Sequence, residues 1–270
     1  MCLALGLLLL GACGASAPFD GLEPGETGRV VRIVDGDTLV LETGLTVRLV
    51  GIEAPDRGRR GAPGAPWAEE SARALEDAAL GRRVRLHYPG LTRDRYDRAL
   101  AHAVTVDRLG PAVWLNGAQL EAGAAWMRLY PDTSGGASHL AAREVEARAA
   151  ARGLWRLATY RPADAANVPD PGWRILKGKL DAPGIPVPGA ADAGGAGERR
   201  DTDPLACSLS LDGGRVEIRV PGHAADACAT PPGAPVEVRG YWRGSATLLA
   251  HALHLTAMPA AEDARSSSGK

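Results

Sequence analysis

Residues 46–56 read Thr-Val-Arg-Leu-Val-Gly-Ile-Glu-Ala-Pro-Asp. Polar and apolar side chains alternate through Thr46, Val47, Arg48 and Leu49, the pattern of a half-buried strand. The apolar run continues to Ile52 but is broken by Gly51, which marks a bulge or bend of the kind small barrels use. Two acids, Glu53 and Asp56, follow at the strand's end. A bent strand that ends in carboxylates builds the rim of a small barrel.

Upstream, Gly28–Val34 and Thr38–Glu42 are β-branched and alternating, split by Asp35-Gly36-Asp37: a strand, a tight turn and a strand. Downstream, the glycines and prolines of 57–66 forbid regular structure. Trp67–Leu80 is predicted helical, with acids in its first turn and Gly81 as its C-terminal cap. Arg82–Tyr88 and Arg98–Val106 read as strands. Val113–Ala122 and Ser138–Arg152 read as helices, closed by Gly123 and Gly153, with Leu154-Trp155 docking back. Five short strands with a helix between the third and fourth give the order of an OB-fold barrel. A doubly wound sheet would need strands and helices in alternation. The predicted fold class is β-rich α+β: a five-stranded OB-fold barrel with three helices over 28–157.

The chain of 270 residues has room for a second small domain. Residues 158–172 are linker-like, and 173–258 form a β-rich accessory region interrupted by a flexible insertion at 181–204. Its strands are Trp173–Leu180, Ser208–Leu211, Arg215–Val220, Pro235–Trp242 and Thr247–Leu255. Asp212-Gly213-Gly214 and Arg243-Gly244-Ser245 supply the turns. An OB-like barrel is one reading of this set. Residues 259–270 are a polar tail expected to be disordered.

The charge balance narrows the function classes. With 45% hydrophobic and 23% charged residues the composition argues against wholesale disorder, and a net charge of −1 argues against a polybasic coat. It does not exclude a local basic site. All cations but Lys177, Lys179 and Lys270 are arginine, a bias that a GC-rich genome also produces.

The first residues, Met-Cys-Leu-Ala-Leu-Gly-Leu-Leu-Leu-Leu-Gly-Ala-Cys, carry an apolar run too short to span a membrane and suited to a signal peptide. Leu10-Gly11-Ala12-Cys13 looks like a lipobox, so 1–13 is the signal, Cys13 the acylated residue and 14–27 a spacer. No Lys or Arg precedes the apolar run. Export places the chain in an oxidising compartment, where the remaining pair, Cys207 and Cys228, is expected to form a disulfide.

Asp37, Glu53 and Asp56 can converge at one rim. Grouped carboxylates repel and so favour a hard divalent cation. Arg48 and Arg98 lie near the same rim, and a guanidinium fork suits phosphate oxygens. Cation, acids and two arginines together describe a site that cleaves phosphodiesters.

Taken in order, Asp35-Gly36-Asp37-Thr38, residues 48–56, Asp94-Arg95-Tyr96-Asp97-Arg98, Ala125-Trp126 and Gly153-Leu154-Trp155 resemble the staphylococcal-nuclease-like (thermonuclease) family from about Gly28 to Trp155. The resemblance implies that Asp37, Glu53 and the carbonyl of Ala54 hold Ca²⁺, with Asp35 and Thr38 beside the ion. It places Asp56 where a glutamate orients or deprotonates the attacking water. Arg48 and Arg98 take the positions that bind the scissile phosphate, and Tyr96 and Tyr130 those that contact the nucleotide. The family usually carries Asp at the position of Glu53, Glu at that of Asp56, and glycine at that of Asp97. The implied protein is a calcium-dependent extracytoplasmic nuclease acting on DNA and/or RNA with little sequence specificity. It would be a monomer held to a membrane, in the periplasm or at the cell surface, by lipid on Cys13, or else secreted. The alternative is a weak or inactive nucleic-acid-binding lipoprotein with the same barrel.

Overall fold

The computed structural model describes residues 18–58, 61–166, 172–181, 185–186 and 204–258. The proposed signal and Cys13, the start of the spacer, residues 59–60, part of the linker, most of the 181–204 insertion and the tail lie outside them. No helix among the described residues is long and apolar enough to cross a membrane.

Strand β1 runs from Glu23 to Asp35, so the last five residues assigned to the spacer belong to the barrel. Its length closes the sheet. The first half pairs with β5 (Arg83–Tyr88), the second half with β2 (Thr38–Leu41), and register shifts along it let the strand turn the corner. β3 (Thr46–Leu49) pairs antiparallel with β2 and parallel with β6 (Ala99–Thr105), giving the closed order β1-β2-β3-β6-β5. This is the five-stranded OB barrel. Alternation drives it: Val47, Leu49, Val84, Leu86, Ala99 and Ala101 point inward and are fully buried.

The expected third strand, Thr46–Ile52, breaks at Gly51. Its φ of +76° suits glycine, and a Cβ there would run into Leu140. Beyond the bend, β4 (Ile52–Glu53) leaves the barrel and pairs with β7 (Trp126–Met127). The helices are α1 (Ala68–Ala79), α2 (Leu115–Glu121) and α3 (Ala137–Ala149). The carbonyl of Gly123 accepts the N–H of Leu154 at 2.8 Å, which docks the Gly-Leu-Trp segment. A Cβ on Gly123 would strike the carbonyl of Arg152, and one on Gly153 the carbonyl of Gly123.

The remaining strands are β8 (Ala163–Asp164), β9 (Gly172–Lys179), β10 (Ile185–Pro186), β11 (Leu205–Leu211), β12 (Val216–Pro221), β13 (Pro235–Trp242), β14 (Ala246–Leu248) and β15 (Leu255–Ala257). They form two four-stranded sheets, linked by bridges at Leu180–Leu211 and Arg243–Ala246. Through those bridges the order β9-β11-β12-β14-β13-β9 repeats that of the first barrel, with β12–β14 as its parallel pair. The 3₁₀ segment Gly222–Ala229 stands between the third and fourth strands, where α1 stands in the first. The Cys207–Cys228 disulfide ties that segment to β11. Two boundaries differ from the sequence reading. Residues 163–164 of the linker pair with β9, and Thr247–Leu255 is split by the 3₁₀ turn Ala252–His254.

A polar and apolar seam joins the barrels. Arg239 on β13 meets Glu144 on α3 at 2.5 Å, with side chains only 6% and 1% exposed. Arg148 pairs with Glu237 at 2.7 Å. The N–H of Leu129 donates to Nε2 of His254 at 3.0 Å. Leu154, Trp155 and Ile175 form an apolar cluster alongside.

Removing one partner of a buried ion pair strands the other charge, at a cost of roughly 3–5 kcal/mol. Glu144→Ala is therefore expected to lower the unfolding free energy by about that amount, read from urea titration. A loss under ~1 kcal/mol would show that the pair contributes nothing beyond an exposed one.

Burial also holds two histidines neutral. His254 is lowered to about 3 by burial and by the nearby Arg239, and His102 to about 4, chiefly by burial. Below pH 6.5 the unfolded chain protonates them and the folded chain does not, so their contribution is present above pH 6.5 and shrinks as pH falls. By pH 5 each should subtract roughly 2 kcal/mol. Asp37, raised to about 7 by burial, acts in the opposite sense. The test is therefore differential: His254→Gln should reduce the acid-induced stability loss between pH 7 and pH 5 relative to the unaltered chain. Parallel curves for the two proteins would contradict this assignment.

Candidate active site

The turn between β1 and β2 is pressed against its surroundings. A Cβ on Gly36 would overlap the Ser71 hydroxyl of α1, and the Gly36 carbonyl accepts from Nε2 of Gln119 at 2.6 Å. The N–H of Asp37 reaches back to Oδ1 of Asp35 at 3.3 Å. This turn delivers Asp37 into the rim, where it is almost fully buried. Its Oδ1 accepts from the Thr38 hydroxyl at 2.9 Å, and its Oδ2 from the N–H of Ala54 at 2.8 Å.

Arg48 lies opposite Thr38 in the β2–β3 register. Val47 and Leu49 face the core, so Arg48 faces out over the rim. Its Nη2 contacts Oδ2 of Asp37 at 3.0 Å and Oε2 of Glu53 at 2.6 Å. Its Nη1 donates to the carbonyls of Leu49 at 2.5 Å and Ile52 at 3.0 Å. Burial alone would lower Arg48; Asp37, Glu53 and Asp35 outweigh it and raise the guanidinium, fixing its charge. For Asp37, burial dominates over the opposing pull of Arg48, and Asp35 and Glu53 push the same way as burial. The carboxyl is raised to about 7.

Asp37 and Glu53 thus already share one cationic nitrogen. Among the described residues no group of three His, Cys, Asp or Glu forms a metal cage. Two converging carboxylates fit a hard divalent cation whose remaining ligands are carbonyls and water.

Arg98 immediately precedes β6 and lies two residues before Leu100, the partner of Arg48, which puts it level with Thr46; it is not among the groups that meet Asp37 or Glu53. Its Nε pairs with Oδ2 of Asp94 at 2.7 Å. Asp94 also accepts the N–H groups of Tyr96 and Arg98, which fixes the loop. Tyr96 is 65% and Tyr130 44% exposed, and each ring is met by a guanidinium: Arg95 lies 4.8 Å from the centre of Tyr96 and Arg128 5.3 Å from that of Tyr130. Asp97 has a φ of +61°, which explains why glycine suits the position; its carboxylate lies 4.0 Å from Arg93. The extra acid therefore faces Arg93.

Asp56 is not drawn into this cluster. It is exposed, and its Oδ1 accepts the N–H of Gly58 at 2.8 Å, an Asx turn that starts the following loop.

The structure adds one residue that the sequence reading passed over. Nη1 of Arg128 contacts Oε1 of Glu53 at 3.0 Å, so both oxygens of Glu53 meet a guanidinium. The β4–β7 register explains the contact: Glu53 pairs with Trp126, and Arg128 is the diagonal neighbour two residues on. Buried Met127 and Leu129 alternate with Arg128 and Tyr130. That alternation was visible in the sequence and places Arg128 on Tyr130's face.

The closed OB-type barrel thus gathers acids and arginines on one rim. The family model described as "Staphylococcal nuclease homologue" matches residues 46–157. The chain is 33% identical over 153 residues to an uncharacterized endonuclease of Escherichia coli O157:H7, a match covering 56% of this chain and 86% of that one. It is 29% identical over 80 residues to a thermonuclease of Staphylococcus hyicus, covering 28% and 47%. A probable endonuclease LCL3 of Schizophyllum commune is 30% identical over 117 residues, covering 40% and 39%. The chain belongs to the staphylococcal nuclease homologue family.

Proposed function

We propose that this chain is a calcium-dependent, extracytoplasmic nuclease that hydrolyses phosphodiester bonds of DNA and/or RNA with little sequence specificity. The observation that carries this reading is the single guanidinium nitrogen of Arg48 shared by Asp37 and Glu53. Asp37 and Glu53, with the carbonyl of Ala54, would hold Ca²⁺. Bound there, the ion would polarise a phosphate oxygen and organise water. Arg48 on β3 and Arg98, just before β6, would stabilise the charge that builds on the phosphate oxygens. Asp56 takes the proton of the attacking water, through a bridging water, after releasing Gly58. Water oxygen bonds to phosphorus as the bond to the 5′ oxygen breaks; the 5′ oxygen takes a proton from solvent water and leaves as the alcohol, and the other product keeps a 3′-phosphate. Tyr96 and Tyr130 stack on bases of either sugar type, so base identity is barely read.

The extracytoplasmic location is supported by the N-terminal apolar run ending in Leu-Gly-Ala-Cys and by the Cys207–Cys228 disulfide, which suits an oxidising compartment.

Arg48→Ala should reduce cleavage of denatured DNA by at least ~10²-fold, and because it strands the buried Asp37 it should also lower stability, so cleavage is compared at a temperature where circular dichroism shows the variant folded. Chelation of calcium should abolish the activity of the unaltered chain, and calcium should restore it. Near-normal cleavage by Arg48→Ala, or chelator-resistant activity, would overturn the mechanism. Nucleotide binding without cleavage at any calcium concentration would favour the alternative of an inactive binding protein.

For the lipid anchor, labelled palmitate fed to expressing cells should enter the unaltered chain and not Cys13→Ser. Equal labelling of both would remove Cys13 from that role.

A further inference from the structure

The second barrel reaches the candidate site through one strip of the first, Arg128-Leu129-Tyr130. The N–H of Leu129, in the middle, is held by Nε2 of the buried His254, from the 3₁₀ turn before β15. The guanidinium of Arg128 lies 5.0 Å from the ring centre of Trp173 on β9 and 5.3 Å from that of Tyr130. Trp173 and His254 meet edge to face, with ring centres 5.5 Å apart. Two residues of the second barrel therefore grip this strip from one side. On the other side, Arg128 binds Oε1 of Glu53 at 3.0 Å while Arg48 binds Oε2 at 2.6 Å.

An arginine has many rotamers, and holding one in place costs entropy. A cation over an indole face is attracted to it, most strongly where water is excluded. Arg128 is 24% exposed, so the stacking partner and the backbone anchor restrict it where a free surface arginine would roam. Glu53 is one methylene longer than the family's usual acid at this position and has correspondingly more freedom to lose. A second guanidinium on its outer oxygen keeps the inner oxygen turned toward Asp37.

We propose that the second barrel is a positioning element of the nuclease site: Trp173 and His254 fix Arg128, and Arg128 fixes the Glu53 carboxylate for the cation. The proposal rests on the nuclease reading of that rim. It assigns Arg128 a positioning role, distinct from the phosphate contacts given to Arg48 and Arg98, and makes the 173–258 region more than a structural appendage.

The test uses the full chain carrying Arg128→Ala, Arg128→Lys, Trp173→Leu or Trp173→Phe. Calcium affinity is measured by titration calorimetry and cleavage by kcat and KM on denatured DNA. Altering a group that orients a metal ligand typically weakens metal binding ~10–100-fold. Arg128→Ala should weaken calcium by at least ~10-fold and lower kcat with KM unchanged. Arg128→Lys should recover most of the affinity, because it keeps a cation on Glu53. Trp173→Leu keeps apolar bulk without a ring face and should fall toward Arg128→Ala; Trp173→Phe should stay near the unaltered chain. A raised KM with unchanged calcium affinity would overturn the proposal by making Arg128 a direct phosphate contact. Unchanged calcium binding in Arg128→Ala, or in a folded Trp173→Leu, would also overturn it. An unaltered chain that neither binds calcium nor cleaves would sink the nuclease reading itself; one that does both, with variants equal to it, sinks only the positioning role.

Discussion

One guanidinium organises the rim. Arg48 emerges from the barrel sheet and contacts two carboxylates and two backbone carbonyls. Those carbonyls, Leu49 and Ile52, bracket the bend at Gly51, so the arginine both spans the kink and compensates the acids it gathers. Asp37 is nearly dehydrated, and an unpaired carboxylate there would cost several kcal/mol. The geometry of turn, bend and strand end is therefore tied to electrostatics. If the Asp35–Thr38 turn is displaced or the strand left unkinked, a buried charge loses its partner.

The same logic recurs at the seam between barrels. Arg239 enters the interface nearly dehydrated and is met by Glu144, whose other oxygen accepts the N–H of Met127 at 2.9 Å. Met127 begins the strip that continues through Arg128 to Tyr130. The helix α3 carboxylate thus joins two events: docking of the second barrel and placement of the strand behind the candidate site. His254 adds a third link by taking the next free N–H, that of Leu129. The strip is anchored on alternate sides by groups that cannot be released without leaving a buried polar atom unpaired.

Much of the first barrel was legible because it obeys period-two alternation with glycine punctuation. Val47 and Leu49 against Arg48, and the break at Gly51, fixed strand, face and bend together. The second barrel was harder to read. The stretch that follows its fifth strand is mixed in polarity, so 247–255 reads as one strand when it is the end of β14, a loop, a 3₁₀ turn and the start of β15. The closing bridge Leu180–Leu211 is a single residue pair with no local signal, whereas Arg243–Ala246 closes across the turn at Arg243-Gly244-Ser245. At the site, Asp37, Arg48 and Glu53 were readable because each sits at the end of a patterned strand or turn. Arg128 was passed over because its meaning is a diagonal cross-strand contact. The structure buries Trp242 in the barrel core and pairs Arg239 across the seam.

The exchange of acid lengths at Glu53 and Asp56 acquires a physical sense from these contacts. A longer carboxylate on β4 can reach Arg48 with one oxygen and Arg128 with the other, a span that joins the rim to the strip held by the second barrel. A shorter one at Asp56 folds back onto its own chain, where Oδ1 closes an Asx turn with Gly58. Aspartate suits that turn because its carboxylate reaches the N–H two residues ahead, which a longer side chain does less well. The two substitutions therefore follow different local demands. At Glu53 the added length is used for bridging. At Asp56 the lost length is used for loop geometry, and reaching a water at the rim requires that turn to open.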